Sequence, residues 1–443
     1  MYHVSSYNVR LHQSHRVIRD TLHLYRQAVS YLIQVVQREW AHVNTLQGKK
    51  RNNYIEACVH MTKDNAAIYD FHHRFVKFPS YLRRSAIQEA IGLVSSHQTR
   101  LAAYEAERYA AISNGKPFKR KPPQLQLHHR SSPALYEGNM YQVISSGKVR
   151  IKVYDRRDWR WLTVDLCAQD VKYLEKVEGK RFSPTLEQSD RKFALRFAFR
   201  KTVALSQAPE PECKVVAVDL GITYSAVCSI LSPDGTVQDC LFIKHKREKD
   251  HQMRLLNRRK KMQRQHHTTS KKIWSKVNNL NTQIASDTVS KIVAFAQAQG
   301  ADAIVMEYLA FKGKRPRSIR ERYQLWAKRT IHAKLLHKAH RVGIRVRTIN
   351  ARGTSQYAFD GSGRLQRHAD QAELCTFATG KQYHSDLNAS YNIGARYYLN
   401  ALQKTIPAKA WSAVEAKVPS LSVRTQRTLA VYRSVLAVLS TAA

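Results

Sequence analysis

The hydrophobic period changes several times along the chain, and each change marks a different kind of element. Residues 1–9 alternate apolar and polar positions (Tyr2, Val4, Tyr7, Val9), as a half-buried strand does. From about 14 to 112 the period is helical. Ile18, Leu22, Tyr25, Val29, Leu32 and Val36 fall three or four apart, and similar stripes run over 54–69 and 80–110, the last opened by Pro79-Ser80. A basic, proline-rich connector occupies 113–133. Strand signals return over 141–144, 148–154, 161–166 and 191–199, spaced by turn residues as in a small antiparallel barrel or sheet. Val149, Ile151 and Val153 take one face of their strand, and Lys148, Arg150 and Lys152 the other.

Ala208-Pro-Glu-Pro-Glu212 reads as a boundary. Beyond it, Cys213-Lys-Val-Val-Ala-Val-Asp219 is a buried, β-branched strand with one carboxylate in it. A second strand runs to Leu231 and turns at Ser232-Pro-Asp-Gly235. A helix carrying Val289, Ile292, Val293 and Ala296 on one face stops at Gly300 and feeds the strand Ala303-Ile-Val-Met-Glu307-Tyr-Leu309. The order strand, helix, strand predicts an α/β domain. A basic helix over about 318–341, a strand over 344–349 and an irregular stretch over 351–383 follow. A last amphipathic helix follows Asp386, with Leu387, Tyr391, Gly394 and Tyr398 on one face, and the basic tail to 443 reads as helical or loosely ordered.

Composition narrows the partner. Lys and Arg outnumber Asp and Glu 74 to 33, a formal charge of +41, which repels itself unless a polyanion neutralises it. Nucleic acid is the expected partner. No apolar run approaches the ~18 residues of a membrane span, and the first residues lack a signal-peptide core, so a cytoplasmic, reduced setting is expected. The six cysteines lack the paired spacing of a disulfide framework or a Cys-x-x-Cys metal knuckle.

Three cationic tracts are candidate nucleic-acid contacts. In the segment 70–84, His72, His73, Arg74, Lys77, Tyr81, Arg83 and Arg84 alternate with phenylalanines, a mixture suited to phosphate contact and base stacking. Lys148, Arg150 and Lys152 form the strand face noted above. Over 244–276, Arg254, Arg258, Arg259 and Lys260 belong to a run dense enough to follow a phosphate backbone. As alternatives, such stretches are a basic loop capping a helical bundle and a solvated helix face.

Asp219, Glu307 and Asp386 stand out by context. Two belong to apolar strands, where an unpaired charge costs several kcal/mol, and the third opens a helix, where it could simply serve as an N-cap. They are too far apart in sequence for a loop site, so only a fold could unite them. If they converge, oxygen ligands select Mg²⁺ or Mn²⁺, and two such ions can drive phosphodiester cleavage.

Val-Ala-Val-Asp219-Leu-Gly-Ile, Ile-Val-Met-Glu307-Tyr-Leu and His-Ser-Asp386-Leu-Asn-Ala-Ser-Tyr-Asn-Ile resemble, in order, the three RuvC motifs of the TnpB family. These are insertion-sequence-encoded, RNA-guided DNA endonucleases related to the compact type V CRISPR effectors. The basic helices between the first two motifs and Ile349-Asn-Ala-Arg-Gly-Thr354-Ser-Gln, which contains Arg352, are similar too. The resemblance is close over about 210–400 and extends to layout alone before that. It implies a multidomain α/β plus α and β protein: an RNase H-like RuvC nuclease domain over 209–350 and 384–402, a β-barrel wedge domain over 1–9 and 134–208, and an inserted helical recognition domain over 10–133. An insert over 351–383 and a basic tail over 403–443 complete the division. It further implies two Mg²⁺ ions held by Asp219, Glu307 and Asp386, with Mn²⁺ able to substitute. The implied partners are a guide RNA and double-stranded DNA bearing a short adjacent motif. The segment 70–84 is the candidate reader of that motif. The setting would be prokaryotic, the protein nucleoid-associated on DNA and either monomeric or dimeric.

The family usually carries a four-cysteine zinc ribbon before the third motif. Here the first knuckle reads Thr354-Ser-Gln-Tyr-Ala358-Phe-Asp-Gly361, and the second, Cys375-Thr-Phe-Ala378, keeps one cysteine. One thiolate does not make a tetrahedral site, so no zinc is expected. The insert is expected to fold around Tyr357, Phe359, Leu374 and Phe377, or else to be mobile. The intact carboxylates favour a guided nuclease. The stripped knuckles favour a guided DNA-binding protein whose nuclease has decayed, such as a repressor or transposon accessory. The long N-terminal segments weigh against an unguided RNase H-fold resolvase or transposase.

Overall fold

The structure, a computed structural model, describes residues 1–12, 16–127, 130–189, 192–221, 223–265, 271–308, 328–350, 352–368, 371 and 373–441. It divides into two compact units, Tyr2–Thr202 and Val203–Ala443 together with Met1. The boundary thus falls a few residues before the Pro-Glu-Pro-Glu stretch.

The first unit contains β1 (Tyr2–Arg10), α1 (Arg16–Arg38), α2 (Trp40–Val43), α3 (Lys49–Val59), α4 (Ser80–Ser113), β2 (Tyr141–Ser145), β3 (Lys148–Asp155), β4 (Asp158–Asp165), α5 (Ala168–Glu175), β5 (Lys180–Arg181), β6 (Thr185–Ser189) and β7 (Lys192–Thr202). Strand β7 is the spine of one sheet, with β1 along one edge and β5 and β6 along the other, all antiparallel. Strands β2, β3 and β4 form a separate antiparallel sheet. One apolar core runs through helices and strands alike, joining Tyr25, Leu32 and Ile87 to Ile151, Leu195 and Phe197. The helical stretch and the strands therefore share a core here, rather than each enclosing its own.

Strand β1 departs from its sequence pattern. His3, Ser5 and Val9 are buried, while Tyr2 and Val4 are exposed. Tyr2 and Val4 are out of phase with Tyr7 and Val9, and a strand can bury only one phase. Strand β3 behaves as expected, with Val149, Ile151 and Val153 inward and Lys148 and Arg150 exposed.

The second unit contains β8 (Val215–Asp219), β9 (Ala226–Leu231), β10 (Val237–Ile243), α6 (Lys246–Arg264), α7 (Lys271–Ala298), β11 (Ala303–Tyr308), α8 (Lys328–Arg341), β12 (Arg345–Asn350), β13 (Gln366–Arg367), β14 (Leu374–Thr376), β15 (Gln382–His384), α9 (Ser385–Thr405), α10 (Ala408–Lys417) and α11 (Leu429–Ser440). Its main sheet has the order β10-β9-β8-β11-β12. Strands β8, β11 and β12 are parallel, and β9 and β10 are antiparallel additions. The part of the basic helix expected over 318–327 lies outside the described residues.

Both faces of this sheet are covered, as a largely parallel sheet requires. Helices α7 and α8 pack on one face through Val289, Ile292, Ile331 and Leu335. Helix α9 lies on the other with Leu387, Tyr391 and Tyr398. The Tyr398 hydroxyl lies 2.6 Å from the Cys213 carbonyl and 2.9 Å from that of Leu231.

Helix α9 is not amphipathic in place. It is buried nearly all round, because the tail folds over its outer side. Trp411 and Val414 of α10 and Tyr432 and Val435 of α11 join its core, and Tyr432 stacks on Tyr398 at 5.0 Å between ring centroids. The segment expected as a basic tail is therefore part of this domain. Its apolar positions needed a partner surface, which α9 and the turn at Pro233–Gly235 supply.

The insert keeps a small sheet of the order β13-β14-β15. Ala358, Cys375 and Phe377 are buried together, with Phe359, Leu365 and Tyr383 packed around them. Phe359 contacts Phe377 at 5.5 Å and Tyr383 at 5.1 Å between centroids. Aromatic packing thus forms the core of the insert.

Candidate active site

The sheet delivers two of the three carboxylates by register. Asp219 is the last residue of β8, and Glu307 is the penultimate residue of the parallel neighbour β11, where Met306 lies opposite Val218. Parallel neighbours end on the same side, so both acids emerge at the C-terminal edge of the sheet, the usual site position in open α/β folds. Asp386 sits in the first turn of α9, which His384 caps by accepting from the Leu387 N–H at 3.4 Å. Asp386 therefore does not serve as the cap, and its carboxylate stands where a helix N-terminus favours negative charge.

Gly221 brings the third acid in. A Cβ built there would stand 3.4 Å from Asp386 Oδ2 and 2.9 Å from the Tyr224 carbonyl. The turn after β8 thus passes against the Asp386 carboxyl, at a separation that a larger residue would widen.

Asp219 is half-buried. Desolvation, then the charges of Glu307 and Asp386, push its carboxyl well above the usual range, with Arg367 opposing. Desolvation also raises Asp386, partly offset by His384 and Arg367. Thr354 donates its hydroxyl to Glu307 Oε1 and is itself buried. Among the described residues, no group of three or more His, Cys, Asp or Glu side chains could hold a metal ion as the side chains stand. The chemistry of the donor set still fits a hard divalent cation: three carboxylates, oxygen only, with Glu307 and Asp386 close enough to raise the proton affinity of Asp219.

Sequence reasoning missed Arg367 and the role of Thr354. Arg367 lies in β13 of the insert and donates to the Ser355 carbonyl at 3.3 Å, and its charge reaches both Asp219 and Asp386. Nothing in its spacing singled it out. Thr354 lay within a recognised motif, but its partner emerges only once the turn after β12 is placed.

The other candidates divide by burial. His72, His73, Arg74, Lys77 and Arg84 are exposed. Arg74 stands over the Tyr31 ring at 5.3 Å beside a cavity of about 530 Å³ that His23, Arg26, Gln27 and Gln34 also line. Arg83 is turned inward and pairs with Glu56 at 3.2 Å, so it is an internal tie and not a surface contact. Phe71, Phe75 and Phe78 are likewise core residues, because a bundle edge this apolar buries its rings before offering them to bases. Tyr81 is half-buried against Tyr136. Arg150 covers Trp161 at 5.2 Å, and Lys148 and Lys152 flank it on the same face. Arg254, Arg258 and Lys260 are exposed on α6, whereas Arg259 lies over Trp274 at 4.8 Å. Arg352 is exposed just past β12.

Among the described residues no helix is long and apolar enough to cross a membrane. The model of the Aq_aa04 family matches residues 4–155, and that of the Cas12f1-like TNB domain matches residues 329–393. No curated protein matches the chain. Among solved structures, the mini-RNA-guided endonuclease CRISPR-Cas_phi3 aligns over 89% of this chain and 92% of its own at 10% identity, with a TM-score of 0.53. A Cas12f1–sgRNA–target DNA complex aligns over 88% and 98% at 13% identity, with a TM-score of 0.31. CasPhi-2 (Cas12j) bound to crRNA aligns over 89% and 98% at 9% identity, with a TM-score of 0.44. The chain thus shares the mixed α/β fold of CRISPR-Cas_phi3, and within it residues 329–393 are similar to the TNB domain of Cas12f1-like proteins.

Proposed function

We propose that this protein is an RNA-guided DNA endonuclease whose catalytic residues are Asp219, Glu307 and Asp386. The observation that carries this reading is the meeting of three sequence-distant carboxylates at one edge of the sheet, close enough that two of them raise the third. Arg367 only partly opposes this crowding of acid against acid, an arrangement that stable folds avoid unless the site serves chemistry.

The three carboxylates would hold two Mg²⁺ ions, with Mn²⁺ as substitute, and the metal when bound supplies an activated water and charge neutralisation for phosphodiester hydrolysis. The chain's own residues set up that chemistry. Strands β8 and β11 fix Asp219 and Glu307 on a rigid sheet, and Thr354 orients Glu307 through its hydroxyl. Gly221 lets the turn after β8 approach Asp386. Arg367 supplies positive charge beside the acids, where a phosphate would lie. Exposed side chains at His72, His73, Arg74, Lys77 and Arg84, with the cations on β3 and α6, offer backbone contacts to RNA and DNA. The cavity under Arg74 offers amide and guanidinium groups suited to reading a short motif.

The test is to purify the protein with its co-expressed flanking transcript, sequence the bound RNA, and incubate the complex with Mg²⁺ and matched DNA beside Asp219→Ala. Cleavage by the wild type alone is the expected result. Absence of a discrete RNA would end the guided reading. A second reading, a guided DNA-binding protein without cleavage, is favoured by Ala358 and Gly361 standing where the family's ribbon has cysteines. Equal binding and equal failure to cut by both proteins would select it.

A further inference from the structure

The edge of the sheet that carries the carboxylates holds a second charged concavity. Strand β12 pairs with β11 so that Asn350 lies opposite Tyr308, one position past Glu307. Beside Asn350 opens a cavity of about 520 Å³, walled by the chain after β12, by α9 and by residues 423–427. Arg352, Arg396, Arg424 and Arg427 line it, and among the described residues no Asp or Glu does.

The four arginines form two layers. Arg396 and Arg427 are buried, whereas Arg352 and Arg424 are exposed. Arg396 directs its donors to backbone: Nε to the Arg427 carbonyl at 3.3 Å, Nη1 to those of Asn350 and Arg352 at 3.1 and 2.7 Å, and Nη2 to that of Thr425 at 3.1 Å. Arg427 donates to the Leu421 carbonyl at 2.9 Å and to the amide oxygens of Asn400 and Gln403 at 3.3 and 3.2 Å. These partners satisfy hydrogen bonding but are neutral, and Glu307 acts on Arg396 from outside the cavity lining, so four arginine charges face the cavity with only partial compensation. Burial lowers the Arg427 pKa, Glu415 offsets part of that, and neighbouring Arg424 adds to it. A site with this balance favours an anion. The exposed guanidinium groups present forked donors matched to phosphate oxygens.

We propose that this cavity binds a backbone phosphate of the single DNA strand entering the carboxylate cluster, contacted by Arg352 and Arg424 and attracted by the fixed charges of Arg396 and Arg427. The inference rests on the nuclease reading above and adds a strand-positioning subsite to it. Adjacency to Glu307 assigns the cavity to the strand being cut, not to the guide.

The test measures affinity of the full chain for a ten-nucleotide single-stranded DNA and its ribonucleotide counterpart across a salt series. The double variant Arg352→Gln/Arg424→Gln is compared with wild type and with Arg424→Lys. Both altered residues are exposed, so the fold should persist, and unchanged melting temperatures check this. The expected result is about a tenfold loss of DNA affinity in the double variant, with the log affinity–log salt slope shallower by about one. Arg424→Lys should keep the wild-type slope. The inference is overturned if the double variant binds DNA like wild type, or if only RNA affinity falls. It is also overturned if inorganic phosphate raises the melting temperature of wild type but not of the double variant, which would make this a free-anion site. Asp219→Ala separates the two readings: strand binding through Arg352 and Arg424 in a protein that never cuts would leave the subsite standing and remove the nuclease.

Discussion

The hydroxyl of Thr354 donates to the Glu307 carboxylate, tying the turn after β12 to the acid on the neighbouring strand β11. This bond holds one of the three acids in place. The same turn is held from behind by Arg396, which donates to the Asn350 and Arg352 carbonyls.

Thr354→Val keeps the side-chain shape and removes the donor. Hydrogen bonds to charged groups contribute about 1.5–3 kcal/mol, so Glu307 should lose its orientation. The expected outcome is a single-turnover cleavage rate roughly tenfold or more below wild type with DNA affinity unchanged. Thr354→Ser should restore it. A wild-type rate in the valine variant would mean that the carboxylate is oriented by other contacts.

Asp219→Asn should stabilise the metal-free protein while abolishing cleavage. The folded pKa of Asp219 lies above its unfolded value near 3.9. Ionising it therefore costs the native state. The cost begins as pH rises through the unfolded value and is complete above the folded one. Thermal melts in chelator should show wild type falling below Asp219→Asn as pH rises from about 4 to 7. Added Mg²⁺ should narrow the gap by stabilising wild type. Identical melts across the whole range would show that the carboxylates do not interact.

The insert should hold its shape without zinc. Ala358, Cys375 and Phe377 are packed together with Phe359 and Tyr383 around them. Zinc analysis of the purified chain is expected to give substantially less than one ion per molecule, and a chelator should leave the hydrogen-exchange protection of β14 and β15 unchanged. Phe377→Ala should instead expose these strands, since truncating a buried phenylalanine costs about 3–5 kcal/mol. One tightly held zinc per chain would contradict this account.

Gly394→Ala should destabilise the second unit. A Cβ there would lie 2.7 and 2.8 Å from the Leu231 methyl carbons, where helix α9 crosses strand β9. Overpacking of this kind costs about 1–3 kcal/mol. A lowered denaturation midpoint, partly recovered by Leu231→Val, is the expected outcome. An unchanged midpoint would place the helix farther from the strand.

Arg83 and Arg74 should separate stability from binding. Removing Arg83 leaves Glu56 half-compensated by Arg84, a change that costs up to about 3–5 kcal/mol when a buried pair is broken. Arg74→Ala, at an exposed site, should leave the melting temperature nearly unchanged and weaken binding of DNA carrying the adjacent motif. The opposite pattern would exchange their roles.

Much of the second unit was legible because its signals are local. An apolar, β-branched run with a terminal carboxylate announces β8 and β11 wherever it occurs, and Gly300, at φ +61°, stops α7 as expected. The first unit was read less well. Tyr2 and Val4 suggested the wrong buried face of β1, because two alternating pairs out of phase cannot be ranked without the sheet they join. The phenylalanines of 71–78 looked like stacking surface and are core, because their fate depends on Tyr31 and Trp159, distant in sequence. The tail is helical, one of its two expected states, but its docking was not legible, because its own spacing does not reveal the α9 surface on which it packs.

By itself the sequence determined the element types of the α/β half, the three acids and the charge that calls for a polyanion, since each depends on residue type and short spacing. Only the tertiary structure decided that the acids share one edge, that Thr354 and Arg367 accompany them, that Arg83 faces inward, and that aromatic rings fill the insert. These depend on register between parallel strands and on packing between distant segments, and neither is encoded in the neighbours of any one residue.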